Sequence, residues 1–503
     1  MEQENEITLL YVDLFCGAGG TTSGVEYARV GGRKCAEVVA CVNHDAHAIA
    51  SHEANHPNVL HFTEDIRTLD FTKPYHLKGR TYVSLLQHVA NKRKEYPKAK
   101  LALWASLECT NFSKAKGGRP RDADSRTLAE HLFRYIEALH PDYILIENVE
   151  EFMCWGELDE HGKPLSKNKG SDYTKWVKNV CKYGYDFDWR ILNAADFGAY
   201  TSRKRFFGQF ARKGLPIVFP YQTYAKTTLP LANKSYYGSV YRPNPDWSDL
   251  FDGFYKPWKA VRDVLDLNDE GESIFTRKKP LCENTLERIY AGLVKFIAGG
   301  KKKHQEFMVR YNGVRAKDTV KTLDEPCGVV TTENRFAKVK CQFLSKQFGG
   351  DPSGKSVDID QPAGTITCRD HHAFVTAQYL MNPYSFKSDG GSIDKPCFTL
   401  IARMDKMPPY LITTKDGVTG IAIYDDDSPW TCKIKEFMAA YGIFDICMRM
   451  LNISELKRIM GFPTDYILVG TSAEQKKYIG NAVEVNMSRV LCEALSERLI
   501  KVA

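Results

Sequence analysis

No apolar run in this 503-residue chain approaches the roughly 18 to 20 residues that a membrane-spanning helix requires. The first six residues are acidic and lack the basic n-region of a signal peptide, so the sequence predicts a cytoplasmic location. The 14 cysteines include no CxxC pair and no Cys/His cluster at zinc spacing. Scattered cysteines of this kind indicate reduced thiols and argue against both a disulfide scaffold and a metal site.

The positive charge of the chain is concentrated in one segment. The formal net charge is only +7, but residues 275–346 contain 16 Lys and Arg against 7 Asp and Glu. A local basic stripe is the footprint expected for a polyanionic partner, although a solvated charged face has the same pattern. Charge by itself leaves these two interpretations equally open.

The length of the chain predicts two domains, because one hydrophobic core rarely serves more than about 250 to 300 residues. Apolar strands alternate with helical segments from residue 8 to about residue 215, which predicts an α/β fold with a doubly wound, mostly parallel sheet. Near residue 219 the composition shifts towards Pro, Tyr, Trp and Asn. We therefore expect a catalytic and cofactor-binding domain over residues 1–218, a β-rich domain over 219–446, and C-terminal helices over 447–503 that return to the first domain.

The second domain contains an internal repeat. Units at 323–331, 359–367 and 393–401 each combine a turn around a proline with a strand-like run. Their similarity predicts a repeated β module. The module is either a plain structural sheet or a recognition surface, and the basic and aromatic loops at 332–336 and 369–372 favour recognition.

Three acidic or thiol-bearing residues lie near the carboxyl ends of predicted strands, where open α/β sheets bind their ligands. Asp13 precedes a glycine-rich turn at 16–24, Cys109 follows an apolar run at 100–107, and Glu147 ends another strand. A glycine turn between strand and helix is typical of a nucleotide cradle, although many are only tight turns. Cys109 is either a space-filling thiol or a nucleophile, and Glu147 is either a helix cap or a site residue.

These segments together resemble the cytosine-C5 DNA methyltransferase family. The resemblance covers about residues 8–215 and the last fifty residues. It rests on the order and spacing of several motifs, none of which is specific alone. They are the glycine turn, Asp65-Ile66, Cys109 followed by Phe112-Ser113, Glu147-Asn148-Val149, Arg203-x-Arg205, Gly461-Phe462-Pro463 and Gly480-Asn481-Ala482-Val483.

The resemblance implies that the first domain binds S-adenosyl-L-methionine. The residues implied in cofactor binding are Phe15, Gly17, Gly19, Asn43, Asp65, Ile66 and Asn481. Asp65 and Ile66 would contact the adenine, and Asn481 would close the pocket from the C-terminal helix. Asn43 stands where the family has an acidic residue at the ribose hydroxyls, so weaker cofactor binding is expected.

The resemblance also implies methyl transfer to C5 of a cytosine that is flipped out of duplex DNA, through a covalent adduct on Cys109. Glu147 would bind N3 of the base, Arg205 would bind O2, and Arg203 would support them. The sequence departs from the family pattern at Glu108 and Thr110, which replace Pro and Gln beside the nucleophile, and at Thr201, which replaces Gln. A carboxylate beside the thiol would raise its pKa unless Glu108 points away.

The expected partner is duplex DNA, bound by a monomer without a metal. The residues expected to contact DNA are Ser113, Lys114, Lys116, Arg119, Lys301, Lys302 and Lys303. No nuclease motif is recognisable, so in a restriction–modification setting the chain would modify DNA without cutting it. The alternatives are a tRNA cytosine-C5 methyltransferase and a catalytically inactive DNA-binding homologue. The large repeat region disfavours tRNA, because reading a duplex sequence needs an extra surface in the groove.

Overall fold

The computed structural model divides into two compact units. The residues that it describes are 7–77, 80–107, 128–157, 165–166, 169–226, 255–296, 307–309, 320–322, 337–346, 356–358, 361–366, 372–381, 412–413, 419–420, 422–441 and 443–502. The first unit contains Met1–Leu265, Gln361–Asp370 and Asn452–Ala503. The second contains Asp266–Asp360 and His371–Leu451.

A seven-stranded sheet forms the centre of the first unit. Its strands are β1 (Leu9–Leu14), β2 (Ala36–Val42), β3 (Leu60–Phe62), β4 (Lys100–Ser106), β5 (Tyr143–Asn148), β6 (Tyr185–Asn193) and β7 (Lys204–Arg212). Their order in the sheet is β6–β7–β5–β4–β1–β2–β3. Neighbouring strands from β5 to β3 are parallel, whereas β7 is antiparallel to both β5 and β6. The doubly wound, mostly parallel α/β sheet that the sequence predicts is therefore confirmed.

Helices cover both faces of this sheet. The helices of the chain are α1 (Gly20–Tyr27), α2 (Ala46–Asn55), α3 (Leu85–Glu95), α4 (Leu132–Leu139), α5 (Ser171–Cys181), α6 (Glu283–Phe296), α7 (Pro429–Tyr441), α8 (Ile453–Ile459), α9 (Ser472–Asn481) and α10 (Val485–Val502). One face of the sheet packs against α3, α4 and α5, and the other packs against α1, α2 and α10. Every residue of β1 is buried, because a parallel strand covered on both faces needs a continuous apolar run.

Short elements complete the described chain. Brief 3₁₀ helices occupy Leu128–His131, Glu150–Cys154, Ala194–Phe197 and Val261–Val264. Short paired strands join Arg29–Val30 to Arg33–Lys34, Tyr75–Leu77 to Arg80–Tyr82, Tyr224–Ala225 to Lys256–Pro257, Phe307–Val309 to Val320–Thr322 and Ile412–Thr413 to Thr419–Gly420. In the described part of the chain, no helix is both long and apolar enough to cross a membrane.

Two helices differ at their ends from what the sequence alone predicts, which is a helix from Val25 to Val30 and a single last helix from Tyr478 to about Ile500. The helix predicted from Val25 already begins at Gly20, because the left-handed Gly19, with a φ of 101°, starts it directly after the glycine turn. The single final helix predicted from Tyr478 is instead two helices, α9 and α10. The backbone of Ala482 is extended there, with φ and ψ of −58° and 146°, and this ends α9.

Close packing between α1 and α10 depends on Gly24. A Cβ at this position would lie 2.3 Å from the Val485 carbonyl oxygen and 2.0 Å from Ser488 Oγ. Backbone at that distance cannot move without separating the two helices. Alanine normally stabilises a helix relative to glycine by about 1 kcal/mol, but overpacking costs about 1–3 kcal/mol or more.

We therefore expect Gly24→Ala to lower the free energy of unfolding by about 1–2 kcal/mol. Thermal and urea unfolding of the purified variant measure this change. A variant as stable as the wild type would mean that α10 can move away from α1 at no cost.

The second unit contains a five-stranded antiparallel sheet. Its strands are β8 (Glu272–Ser273), β9 (Ala337–Lys346), β10 (Ser356–Asp358), β11 (His372–Met381) and β12 (Ile443–Met450), in the order β8–β12–β11–β9–β10. Side chains of α6 and α7, among them Ile289 and Ile434, form its core together with Ile446. The repeat units at 323–331 and 393–401 lie outside the described residues. Of the repeat unit at 359–367 the structure describes residues 361–366, which belong to the first compact unit and form no strand.

Candidate active site

The strand order creates a crevice at the carboxyl ends of β1 and β4. From β1 the chain continues to β2 on one side, whereas β4 lies on the other side. Open α/β sheets bind their ligands at such a switch point. Residues that follow β1, β2, β4 and β5 are therefore the candidates for a ligand site.

The turn after β1 has a backbone that a ligand can approach closely. Phe15 has a φ of 59°, and its N–H donates to the Val42 carbonyl oxygen at 3.0 Å. Such strain in a non-glycine residue clusters at functional sites. Gly17 has a φ of 53°, and no described atom lies within 4 Å of the position that a Cβ would take there. The turn is therefore an open cradle beside the N-terminus of α1, which begins after Gly19.

The ends of β2 and β3 position three further residues of the predicted cofactor site. The Asn43 N–H donates to the Phe62 carbonyl oxygen at 3.1 Å, which joins the two strand ends. The Asp65 carboxylate accepts hydrogen bonds from Arg67 Nε at 2.9 Å and Nη2 at 2.6 Å, and these lower the pKa of Asp65. Ile66 beside it is buried. These residues thus follow consecutive strands at the same edge as the cradle.

The C-terminal helices contact the glycine turn. The Tyr466 hydroxyl donates to the Ala18 carbonyl oxygen at 2.5 Å. A Cβ at Gly20 would lie 2.5 Å from the Val483 carbonyl oxygen, so the segment after α9 packs against the start of α1. Asn481, the exposed last residue of α9, is two residues from this contact. The fold therefore brings the motif of Asn481 to the turn of Gly17 and Gly19, although the two are far apart in sequence.

Glu484, in the same C-terminal segment, should make the free energy of unfolding depend on pH. It is buried, its Oε2 accepts from the Met487 N–H at 2.8 Å, and burial raises its pKa to about 7. The folded chain therefore holds this proton more tightly than the unfolded chain, whose carboxyl has a pKa of about 4.3. The resulting stability is complete below that value and is lost as the pH rises through about 7.

We expect Glu484→Gln to be more stable than the wild type by about 1–3 kcal/mol at pH 8 and to lose this advantage near pH 5. The amide oxygen can still accept the helix N–H, so the comparison isolates the charge. Urea unfolding at both pH values measures the difference in stability between the variant and the wild type. An equal difference at pH 5 and pH 8 would contradict the raised pKa of Glu484.

Glu147 is a buried carboxyl beside a fixed positive charge. In the sheet register it is the partner of Ser106, the last residue of β4, and its Oε1 lies 3.3 Å from Arg205 Nε. Burial raises the pKa of Glu147, and the charges of Arg205 and Arg203 oppose this shift without cancelling it. The carboxyl therefore keeps its proton to a higher pH than an exposed glutamic acid would. Such a group can donate a proton or hydrogen bond to a ligand at the crevice.

Arg203 is buried and ties two distant segments together. Its Nη1 donates to the Ile366 carbonyl oxygen at 2.9 Å and to the Gly480 carbonyl oxygen at 3.0 Å. Thr201 Oγ1 donates to the Gly364 carbonyl oxygen at 2.9 Å, so this threonine also anchors segment 361–366. Arg203 thus joins segment 361–366 to the end of α9, and its charge lowers the pKa of Glu147 less than that of Arg205 does.

Asn148 links the Glu147 strand to the end of β4. Its Nδ2 donates to the Leu107 carbonyl oxygen at 3.4 Å. Cys109 follows Leu107 by two residues in the sequence but lies outside the described residues. The other expected site residues outside the described ranges are Ser113, Lys114, Lys116, Arg119, Lys301, Lys302 and Lys303.

Sequence reasoning missed two residues that contribute to the site region, Asn148 and Tyr466. Asn148 stands inside the Glu-Asn-Val motif, and Tyr466 follows Gly461-Phe462-Pro463 by three residues, so both were within reach of the motif comparison. Their partners, Leu107 and Ala18, are distant in sequence, and nothing local indicates those contacts.

Comparison with known proteins identifies similar sequences. The family model described as C-5 cytosine-specific DNA methylase matches residues 9–270 and 419–497, which is more than half of the chain. The Type II methyltransferase M.XorII of Xanthomonas oryzae is 30% identical over 209 residues, 41% of this chain and 41% of that protein. M.AgeI of Thalassovita gelatinovora is 28% identical over 262 residues, 52% of this chain and 51% of that protein.

The aligned region spans about half, or less, of the length of these curated relatives. Among solved structures, a Spodoptera frugiperda DNMT2 mutant matches with a TM-score of 0.45 and 13% identity, over 97% of this chain and 99% of that chain. A TM-score at this level adds nothing to the fold assignment, which rests on the strand order and the family match.

Proposed function

Because the chain belongs to the C-5 cytosine-specific DNA methylase family, we propose that it transfers a methyl group from S-adenosyl-L-methionine to C5 of a cytosine flipped out of duplex DNA. The observation that carries the proposal is the buried Glu147, beside Arg205 and next to the strand that leads to Cys109. The glycine cradle lies at the adjacent strand end, so cofactor and base would meet at one crevice.

Cys109 would supply the nucleophile. C5 of cytosine is itself a poor nucleophile, but addition of a thiolate at C6 turns the ring into an enamine-like species, whose C5 can then accept the methyl group. Loss of the C5 proton and elimination of the thiol then restore the aromatic ring and the free enzyme. This is covalent catalysis, in which a thiolate, not a thiol, is the attacking group.

Glu147 and Arg205 would stabilise the charge that this addition places on the ring. Since burial favours the protonated form of Glu147, its carboxyl can donate to N3 of the base. The Arg205 guanidinium, 3.3 Å from that carboxyl through Nε, carries the positive charge suited to O2. Arg203 would keep this arrangement in place through its two backbone contacts.

The open cradle fits the cofactor. The residues proposed to hold it are Phe15, Gly17, Gly19, Asn43, Asp65, Ile66 and Asn481. The Gly17 position leaves space where a side chain would otherwise intrude. Bound S-adenosyl-L-methionine supplies an electrophilic methyl group, and the chain contributes shape, hydrogen bonds and exclusion of water.

Access to the base requires that it leave the duplex, which costs about a few kcal/mol. We propose that residues 111–126, which the sequence predicts to be a loop, close over the flipped base, with Ser113, Lys114, Lys116 and Arg119 at the DNA backbone. The β-rich second unit and its basic segment would read the surrounding sequence, because base contacts in the groove need a separate surface.

Methyl transfer from labelled cofactor to duplex DNA or to tRNA tests this proposal. We expect label in DNA, recovered as 5-methylcytosine after digestion. Label in tRNA alone would assign the chain to the RNA-modifying alternative. No transfer to either, with DNA binding intact, would indicate an inactive binding homologue.

The basic segment should contribute to the salt dependence of DNA binding. Changing Lys301, Lys302 and Lys303 to Gln should weaken binding and reduce the slope of log K against log salt by about 1 for each phosphate that is no longer neutralised. The control changes the exposed Lys94 and Lys98 to Gln. They precede β4 and so lie near the amino ends of the strands, away from the proposed site at the carboxyl ends, and their replacement should leave the slope unaltered. An unchanged slope in the triple variant would remove this segment from the interface.

A further inference from the structure

A row of polar side chains crosses a buried face of the central sheet below the glycine turn. Asp13 on β1 is the register partner of Cys41 on β2, and Cys41 is the register partner of His61 on β3. Partners in adjacent parallel strands direct their side chains to the same face. All three residues are buried, and the chemistry proposed for methyl transfer uses none of them.

Two more buried residues close over this row. Cys16 comes from the glycine turn and His52 comes from α2. One ligand atom from each of Cys16, Cys41 and His52 lies within 4.8 Å of the others. His61 adds a second imidazole, whose Nε2 is 2.9 Å from His52 Nδ1. Three sulfur and nitrogen donors therefore converge in the interior of the first unit, and the imidazole of His61 adjoins the donor from His52.

His52 is oriented by hydrogen bonds that lead to a carboxyl group. Thr22 Oγ1 donates to Asp13 Oδ2 at 3.0 Å, so its oxygen is left to accept from His52 Nε2 at 2.9 Å. A neutral His52 that donates from Nε2 presents a lone pair at Nδ1, on the side of His61. Histidines that bind metals are usually held in this way through their other ring nitrogen.

We propose that Cys16, Cys41 and His52, with His61 as the fourth ligand, form a closed structural site for a Zn²⁺-type cation. Two thiolates and two neutral imidazoles are a donor set that zinc binds tetrahedrally. Their two negative charges neutralise the ion, which allows the site to be buried. The cation would take the place of the proton shared by His52 and His61.

A second observation points to an electropositive ligand at this place. Asp13 Oδ1 is buried and has no hydrogen-bond partner among the described residues. A buried oxygen without a partner is unfavourable, and native structures usually satisfy it. A cation held by the neighbouring Cys41 would give this oxygen a favourable electrostatic environment.

The site would fasten the proposed cofactor cradle to the sheet. Cys16 stands between Phe15 and Gly17, the two residues whose left-handed backbone shapes the cradle. A metal–sulfur bond would hold the turn in one arrangement before the cofactor binds, and such preorganisation raises affinity. This consequence rests on the proposed function, whereas the metal site itself does not.

Metal content and cobalt substitution of the full chain test the site. Protein produced with added Zn²⁺ should retain about one zinc per chain after dialysis. Replacement by Co²⁺ should produce a thiolate-to-cobalt charge-transfer band and the strong visible bands of tetrahedral cobalt. Cys41→Ser and His52→Gln should each lose the ion, whereas Cys35→Ser, which changes a buried cysteine outside the cluster, should retain it.

The wild-type spectrum decides the matter even if a variant fails to fold. Wild-type protein that binds neither zinc nor cobalt through sulfur would overturn the proposal. A thiolate–cobalt band that persists unchanged in folded Cys41→Ser would equally overturn the ligand assignment. Methyl transfer is measured separately, so metal binding without transfer would count against the proposed function alone.

Discussion

Replacing Cys109 by serine is expected to reduce methyl transfer to duplex DNA by about three orders of magnitude or more. Serine is nearly isosteric with cysteine, but its hydroxyl is a far weaker nucleophile at neutral pH because it does not ionise there. In the proposed mechanism the base is not activated at C5 without the adduct at C6. Initial rates with labelled cofactor measure the loss, and DNA affinity should change little because the binding surfaces are retained.

Cys282→Ser is the matched control for this experiment. Cys282 is exposed and belongs to the second unit, so its replacement should leave the rate unchanged. Duplex DNA with 5-fluorocytosine adds a direct measurement, because fluorine at C5 cannot leave as a cation and the adduct accumulates. Covalent complex should form with the wild type and with Cys282→Ser but not with Cys109→Ser. An active Cys109→Ser would rule out the covalent route.

Glu147→Gln is the second variant with a large expected effect, a decrease in kcat of about 10²–10⁴-fold. Glutamine keeps the shape and can still face the Arg205 guanidinium, 3.3 Å from the carboxyl in the wild type. It cannot supply the proton that we propose Glu147 gives to N3 of the base. The rate of the wild type should fall as the pH rises through the raised pKa of Glu147, and this limb should be missing from the variant.

Stability measurements distinguish the proposed catalytic role of Glu147 from a structural one. Because burial raises the pKa of Glu147, its contribution to stability is present at low pH and is lost as the pH rises through that pKa. Glu147→Gln should therefore unfold at the same temperature as the wild type, or higher at alkaline pH. Glu150→Gln, three residues further on, is the control and should retain full activity. A large loss of Tm with little change in kcat would show that Glu147 acts only in folding.

The sequence alone predicts the order of strands and helices and the class of the sheet. Strands β1, β4 and β5 are continuous apolar runs, and a short run of that kind between polar segments is typical of a strand buried on both faces. The sequence also indicates a cap for α8 at Asn452 or Ser454, because capping is a local interaction, and the structure has Asn452, which forms a capping box with Glu455. The motifs then identify the family, which the match over residues 9–270 and 419–497 confirms.

Helix boundaries near glycine and at the C-terminus were harder to predict. The start of α1 depends on the left-handed backbone of Gly19, and the break before α10 depends on the packing of Val483 against Gly20. Both features are decided by contacts between segments that are far apart in the chain. Propensity and periodicity describe neighbours only, so they merged α9 and α10 into one helix and began α1 too late.

Only the tertiary structure decides which of the polar residues meet. The pairing of β4 with β5 places Ser106 opposite Glu147, and the return of β7 brings Arg205 to the same carboxyl. The register of β1, β2 and β3 likewise aligns Asp13, Cys41 and His61, which no sequence spacing relates. Residue types and local order determine the elements, whereas a one-residue change of register would redirect every side chain of a strand. The sequence therefore establishes the family and the sheet, and the long-range pairing of strands establishes the surroundings of Glu147 and the buried Cys/His cluster.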